Sequence, residues 1–236
     1  MKRLLEVEGL ETAYGRSQVL FGIDLFVDEG EVVGLMGRNG MGKTTTIRSI
    51  MGLTPPRRGR VCVNGIEYQN RPTWRVARAG LAIVPEGRQV FRRLTVHEHL
   101  LMAECKRHVV GEQWTVKKVY AMFPRLEERR EHLGGQLSGG EQQMLAIGRA
   151  LMTNPKLILF DEATEGLAPL VRHQIWSAIR SLKSRGLAIL IVDKNVADVA
   201  EVAERMYVLE KGSLAWTGAP TELSRSDALK QRYLGI

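Results

Sequence analysis

EVVGLMGRNGMGKTTTIRSI, residues 31–50, is the stretch on which the fold turns. Its first part, EVVGLMG (31–37), is almost continuously apolar, as a strand buried on both faces is. From Thr44 onward the apolar positions fall at 47, 50 and 51, the spacing of one helix face. Between strand and helix, Gly37 to Thr44 fits G-x-x-x-x-G-K-[ST] in the setting that this pattern requires. Gly37, Gly40 and Gly42 allow successive backbone N–H groups to turn inward as an anion nest. The helix opening directly behind adds its positive end. Gly37, Arg38, Asn39, Gly40, Met41, Gly42, Lys43, Thr44 and Thr45 are therefore expected to wrap the phosphates of a nucleotide. Lys43 would reach the β and γ phosphates, and the Thr44 hydroxyl would be available to Mg2+.

Outward from this loop the chain alternates strand and helix patterns. LLEVEGL (4–10) and VLFGIDLFV (19–27) read as strands, with a turn at Asp28-Glu29-Gly30. Pro55-Pro56 stops the first helix, and RVCVNG (60–65) and LAIVPE (81–86) follow as strands. Residues 94–133 look helical, and EQQMLAIGRALMTN after Gly140 is an amphipathic helix closed by Asn154-Pro155. KLILFDE (156–162) and LAILIVDK (187–194) are uninterrupted apolar strands, which points to a parallel sheet covered on both faces. VRHQIWSAIRSLKSRG (171–186) supplies the helix between them, and RMYVLEKGSLAWTG (205–218) reads as a hairpin turning at Lys211-Gly212. The expected fold is α/β: a mostly parallel sheet, an N-terminal antiparallel part and one domain, 1–236, with a helical insertion at about 87–150.

Asp161 and Glu162 close one of the apolar strands. A carboxylate there lies at the C-terminal edge of the sheet, where open α/β folds bind ligands. Asp161 is read as a Mg2+ ligand and Glu162 as the group that orients or deprotonates the attacking water. Ser138 precedes a helix whose first turn carries Glu141, the arrangement of an N-cap.

Composition excludes other classes. With 44% hydrophobic and 25% charged residues the chain matches ordinary globular proteins rather than disordered ones. Cys62 and Cys105 are the only cysteines, so a disulfide framework is unavailable. Glu6, Glu8 and Glu11 stand where a signal peptide needs an apolar run, and no apolar run approaches the roughly 20 residues that span a bilayer. A soluble chain in a reducing compartment is expected. Residues 57–130 hold 16 Lys and Arg against 7 Asp and Glu, so this one segment accounts for the whole formal charge of +8. An excess of that kind suits nucleic acid, an anionic membrane surface or a phosphate ligand alike. His97, His99 and His108 have no carboxylate or thiol at ligand spacing and are read as solvated helix-face residues. Trp74, Trp114, Trp176 and Trp216 are read as packing residues, and Arg125, Arg129 and Arg130 beside Glu127, Glu128 and Glu131 as an ion-paired helix face.

The phosphate loop, LSGGEQQ (137–143) and Asp161-Glu162, in that order, resemble the ATP-binding-cassette (ABC) transporter ATPases, whose signature is LSGG. The resemblance spans the whole chain. It implies that Ser138, Gly139, Gly140 and Glu141 address ATP held by an opposing ATPase chain, and that Tyr14 stacks on adenine. It places Thr164 to Pro169 on the dimer interface, and the segment after Glu86, with Arg88, Arg92 and Arg93, against a membrane permease. Two positions depart from the family pattern. Glu86 stands where most members have a Gln that meets Mg2+, and Lys194 stands where most have a switch His. A Lys has three donors and no acceptor, so it suits the γ-phosphate and cannot shuttle a proton as neutral His does. VPEGRQVFRRLTVHEHLLM with DEATEGLAP is similar to the second, shorter ATPase of high-affinity branched-chain amino-acid importers. That likeness implies a partner ATPase, two permease subunits, an external solute-binding protein, and a place on the inner face of the cell membrane. Importers of urea or short-chain amides are the alternative, followed by a soluble ABC ATPase acting on nucleic acid and a regulatory module without turnover.

Overall fold

The computed structural model describes residues 2–105 and 113–235; His108 lies outside them. In chain order the elements begin with β1 (Arg3–Tyr14), β2 (Ser17–Asp28), β3 (Val32–Met36) and α1 (Lys43–Ile50). Next come β4 (Arg58–Val63), β5 (Ile66–Glu67), α2 (Thr73–Arg78) and β6 (Leu81–Val84). The helices α3 (Val96–Met102), α4 (Val116–Met122), α5 (Pro124–Glu128) and α6 (Gly139–Met152) all precede β7 (Leu157–Asp161). The chain continues through α7 (Pro169–Ser184), β8 (Ala188–Val192), α8 (Val196–Val202), β9 (Arg205–Glu210), β10 (Ser213–Gly218), α9 (Pro220–Arg225) and α10 (Asp227–Tyr233).

Two sheets result. The N-terminal one is antiparallel, in the order β2-β1-β4-β5. The other has the order β10-β9-β3-β8-β7-β6, and only its β10–β9 pair is antiparallel. Strand residues of this second sheet alternate between two cores. Val32, Met36, Ile158 and Phe160 face the helices α6 and α7, while Val33, Leu35, Leu157 and Leu159 face α1 and the antiparallel sheet. Every residue of β3, β7 and β8 is buried, which explains why these strands read as unbroken apolar runs. Their C-terminal ends therefore form one rigid edge from which loops project.

The helical insertion is anchored by a histidine that the sequence pattern misplaces. His99 is 0% exposed, not solvated. Its Nδ1 lies 2.6 Å from the Thr95 carbonyl oxygen, and its Nε2 accepts the Phe91 N–H at 2.9 Å. Both contacts require a neutral ring protonated at Nδ1. Burial pushes the His99 pKa below its ordinary value; the Arg149 guanidinium adds to this, and the Thr95 carbonyl and Glu98 oppose it. The folded chain thus binds fewer protons than the unfolded chain from about pH 6.5 down to the depressed folded value. Stability should fall as pH is lowered through that window and be unaffected by this group above it. Thermal midpoints measured from pH 7.5 to 5 should drop more steeply for the natural chain than for His99→Gln, which keeps an acceptor and does not titrate. His97, two positions away on α3, faces the other side and stacks on Tyr120, with Nδ1 3.2 Å from the phenol oxygen.

Candidate functional site

The loop between β3 and α1 has the backbone that its glycines permit. Gly37, Gly40 and Gly42 have φ of 141°, 79° and 103°, in the region that favours glycine. A Cβ on Gly37 would lie 2.5 Å from the Leu209 carbonyl oxygen, so a side chain there would push the loop off β9. The Lys43 ammonium is 3% exposed and donates to the carbonyls of Gly37 at 2.9 Å and Arg38 at 3.0 Å. Glu162 Oε1 stands 3.9 Å from it. Burial lowers the Lys43 pKa, against the pull of Glu162. The cation is thus held inside the loop by weak neutral acceptors and one carboxylate, ready to exchange the carbonyls for anionic oxygens.

Asp161, the last residue of β7, is buried and accepts from Thr44 Oγ1 at 3.0 Å. Burial raises its pKa, opposed by the Thr44 hydrogen bond. Two hard oxygens 3.0 Å apart match one edge of an octahedron with bonds of about 2.1 Å, so this pair fits Mg2+. Glu86, two residues beyond β6, has a carboxylate within 4.8 Å of those of Glu162 and Glu165. Glu162 has φ of 51°, and its N–H is fixed to the Val192 carbonyl at 2.8 Å. Burial pushes its pKa up to about 7; a hydrogen bond and the charge of Glu165 add to this, and Lys194 and Lys43 oppose it. Lys194 Nζ lies 3.6 Å from Glu162 Oε2 and is also paired with Glu165.

Lys43, Thr44, Glu86, Glu162 and Lys194 share one cleft of about 430 Å³ with Tyr14, Asn39, Gly40, Gly42 and Thr45; Asp161 reaches it through its bond to Thr44 and does not line it. The ring of Tyr14, at the end of β1, is 47% exposed there. Two of the loop residues turn their side chains elsewhere. Arg38 donates to the Gln231 carbonyl at 3.2 Å, and the Met41 sulfur accepts the Lys211 N–H at 3.1 Å. Only their backbones remain for phosphate. Glu165 and Val19 also line the cleft; sequence reading places Glu165 only on the interface loop and assigns Val19 no role.

Ser138, Gly139, Gly140 and Glu141 do not line this cleft. They open α6 with a capping box: Ser138 Oγ accepts the Glu141 N–H at 3.3 Å, and the Glu141 carboxylate accepts the Ser138 N–H at 2.8 Å. Glu141 also accepts from Arg125 at 3.1 Å, so the basic helix face is tied to α6 and not only to its own acids. Packing gives Gly140 a reason independent of phosphate, because a Cβ there would sit 2.6 Å from Val171 Cγ1.

A nucleotide-sized cleft over a phosphate loop, with a carboxylate pair at its edge and a glycine-opened helix apart from it, defines an ATPase of the cassette type. A family profile described as ABC transporter matches residues 20–165, and the chain belongs to that family. It is 40% identical over 232 residues to the high-affinity branched-chain amino acid transport ATP-binding protein BraG of Pseudomonas aeruginosa, covering 98% of this chain and 100% of BraG. It is 35% identical over 235 residues to the lipopolysaccharide export system ATP-binding protein LptB of Haemophilus influenzae, covering 98% and 97%. The crystal structure of an ABC transporter's ATP-binding cassette in its ADP conformation superposes with a TM-score of 0.84 at 26% identity, covering 100% of both chains. The protein is an ABC ATPase and hydrolyses ATP.

Proposed function

We propose that this chain is the ATPase of a membrane importer for branched-chain or other hydrophobic amino acids. The observation that carries the reading is the end-to-end likeness to BraG. Among the described residues no helix is long and apolar enough to cross a membrane, so the permease function would lie in partner subunits. The chain would sit on the inner face of the cell membrane, paired with a second ATPase and served by two permeases and an external solute-binding protein.

In this reading residues 1–236 act as one ATPase domain, with the insertion at about 87–150 as its helical part. Lys43 and the loop N–H groups neutralise the phosphates, and Tyr14 stacks on adenine. Thr44, Asp161 and Glu86 hold Mg2+, which supplies charge neutralisation for the transferring phosphoryl group. Glu162 orients the water, and Lys194 adds a second cation at the γ-phosphate. Ser138, Gly139, Gly140 and Glu141 meet ATP on the opposing chain, so an isolated chain should turn over slowly.

A tagged chain should recover two hydrophobic permeases and a second ATPase from detergent-solubilised membranes, and its deletion should abolish high-affinity leucine uptake. Likeness to LptB favours one other reading, lipopolysaccharide export. Recovery of lipopolysaccharide-bound membrane partners, with leucine uptake intact, would select it and overturn the importer reading.

A further inference from the structure

The loops after β7 and β8 are braced against each other twice. Thr164 Oγ1 donates to Asp193 Oδ2 at 2.6 Å in a buried position. One residue further along each loop, Lys194 donates to Glu165. With Glu162 Oε2 at 3.6 Å, the Lys194 ammonium lies between two carboxylates, and all three groups line the nucleotide cleft. The two partners differ in setting. Glu162 is 12% exposed and fixed by its backbone, whereas Glu165 is 44% exposed, as Lys194 is. An ion pair this open to water is worth about 0.2–1 kcal/mol, so it opens readily when a better anion arrives. The terminal phosphate of ATP is such an anion, with more charge and more acceptor oxygens than one carboxylate.

We propose that Glu165 is a positioning residue that holds Lys194 in the nucleotide-free site, and that Lys194 exchanges Glu165 for the terminal phosphate when ATP binds. The exchange rests on the assignment of Lys194 to the γ-phosphate made above. ADP offers no third phosphate and leaves the pair closed. Glu165 therefore competes with ATP and not with ADP.

Dissociation constants of ATP and ADP, measured on the purified full-length chain by displacement of a fluorescent nucleotide, test this. Glu165→Gln should tighten ATP by about twofold to fivefold, the worth of an exposed ion pair, and leave ADP unchanged. Lys194→Ala should weaken ATP, and in that background Glu165→Gln should have no further effect. Equal tightening of ATP and ADP, no change in ATP, or an undiminished Glu165→Gln effect on Lys194→Ala would each overturn the exchange. If Lys194→Ala itself leaves ATP affinity at the natural level, the assignment of Lys194 to the phosphate falls as well. If it weakens ATP while Glu165→Gln is inert, only the exchange falls.

Discussion

Replacing Glu162 by Gln should lower ATP turnover by about 10²–10⁴-fold, the range for loss of a positioned general base, while nucleotide binding survives. Gln matches Glu in size, so the backbone anchor to Val192 and the φ of 51° at this position stay as they are. What disappears is the one carboxylate placed between Lys43 at 3.9 Å and Lys194 at 3.6 Å. The two cations beside it oppose the burial that pushes its carboxyl up to about 7. The variant should bind ATP at close to natural affinity and accumulate as an ATP-bound dimer in size-exclusion chromatography. Retention of more than a tenth of the natural rate would remove Glu162 from the water-activating role.

Lys43→Ala should have the opposite profile, with binding lost first. The ammonium is buried and makes charge-assisted hydrogen bonds, each worth about 1.5–3 kcal/mol, so ATP affinity should fall by roughly 10-fold to 150-fold. The variant loses the lysine's bonds to the Gly37 and Arg38 carbonyls, while the close packing of Gly37 on Leu209 and of Gly42 on Leu20, where a Cβ would lie 2.5 and 2.6 Å away, remains to shape the loop. Titration calorimetry with ATP, alongside an unchanged thermal midpoint of the nucleotide-free chain, separates loss of a ligand contact from loss of fold. Natural affinity in Lys43→Ala would overturn the reading of the loop.

The two variants mark what one-dimensional reading of this chain can reach. Lys43 opens α1 across the loop from β3, and Asp161 and Glu162 stand at the end of β7; both strands are legible because both of their faces are buried. The hairpin of β9 and β10 is legible from Lys211-Gly212, which takes φ of 48° and 78°. Short helices carry no legible signal: α2 buries one residue, Val76, and α8 only Val196, Val199 and Val202, too few to establish a period. In the sequence Glu165 reads only as part of the interface loop, because its partner lies 29 residues away on another strand's loop. The burial of His99 is foreshadowed by helix geometry. Histidines at positions 97 and 99 stand about 200° apart on a helix, so they cannot share one solvated face. The pair of glycines in the signature points to phosphate by resemblance, while Val171 supplies a packing demand that no local pattern contains.

Beyond the C-terminal ends of four neighbouring parallel strands, β3, β8, β7 and β6, charged groups gather at one edge: Lys43, Lys194, Asp161 with Glu162, and Glu86. These residues span positions 43 to 194, and they meet at one edge only when β3, β8, β7 and β6 have paired. ATP can therefore recognise only molecules whose central strands have paired in the right order. Nucleotide at a concentration far above its dissociation constant then stabilises the completed fold alone, by about 2.7 kcal/mol at a hundredfold excess. The fuel of the motor doubles as an inspector of its assembly, and a chain stalled before β8 has joined β3 and β7 gains nothing from it.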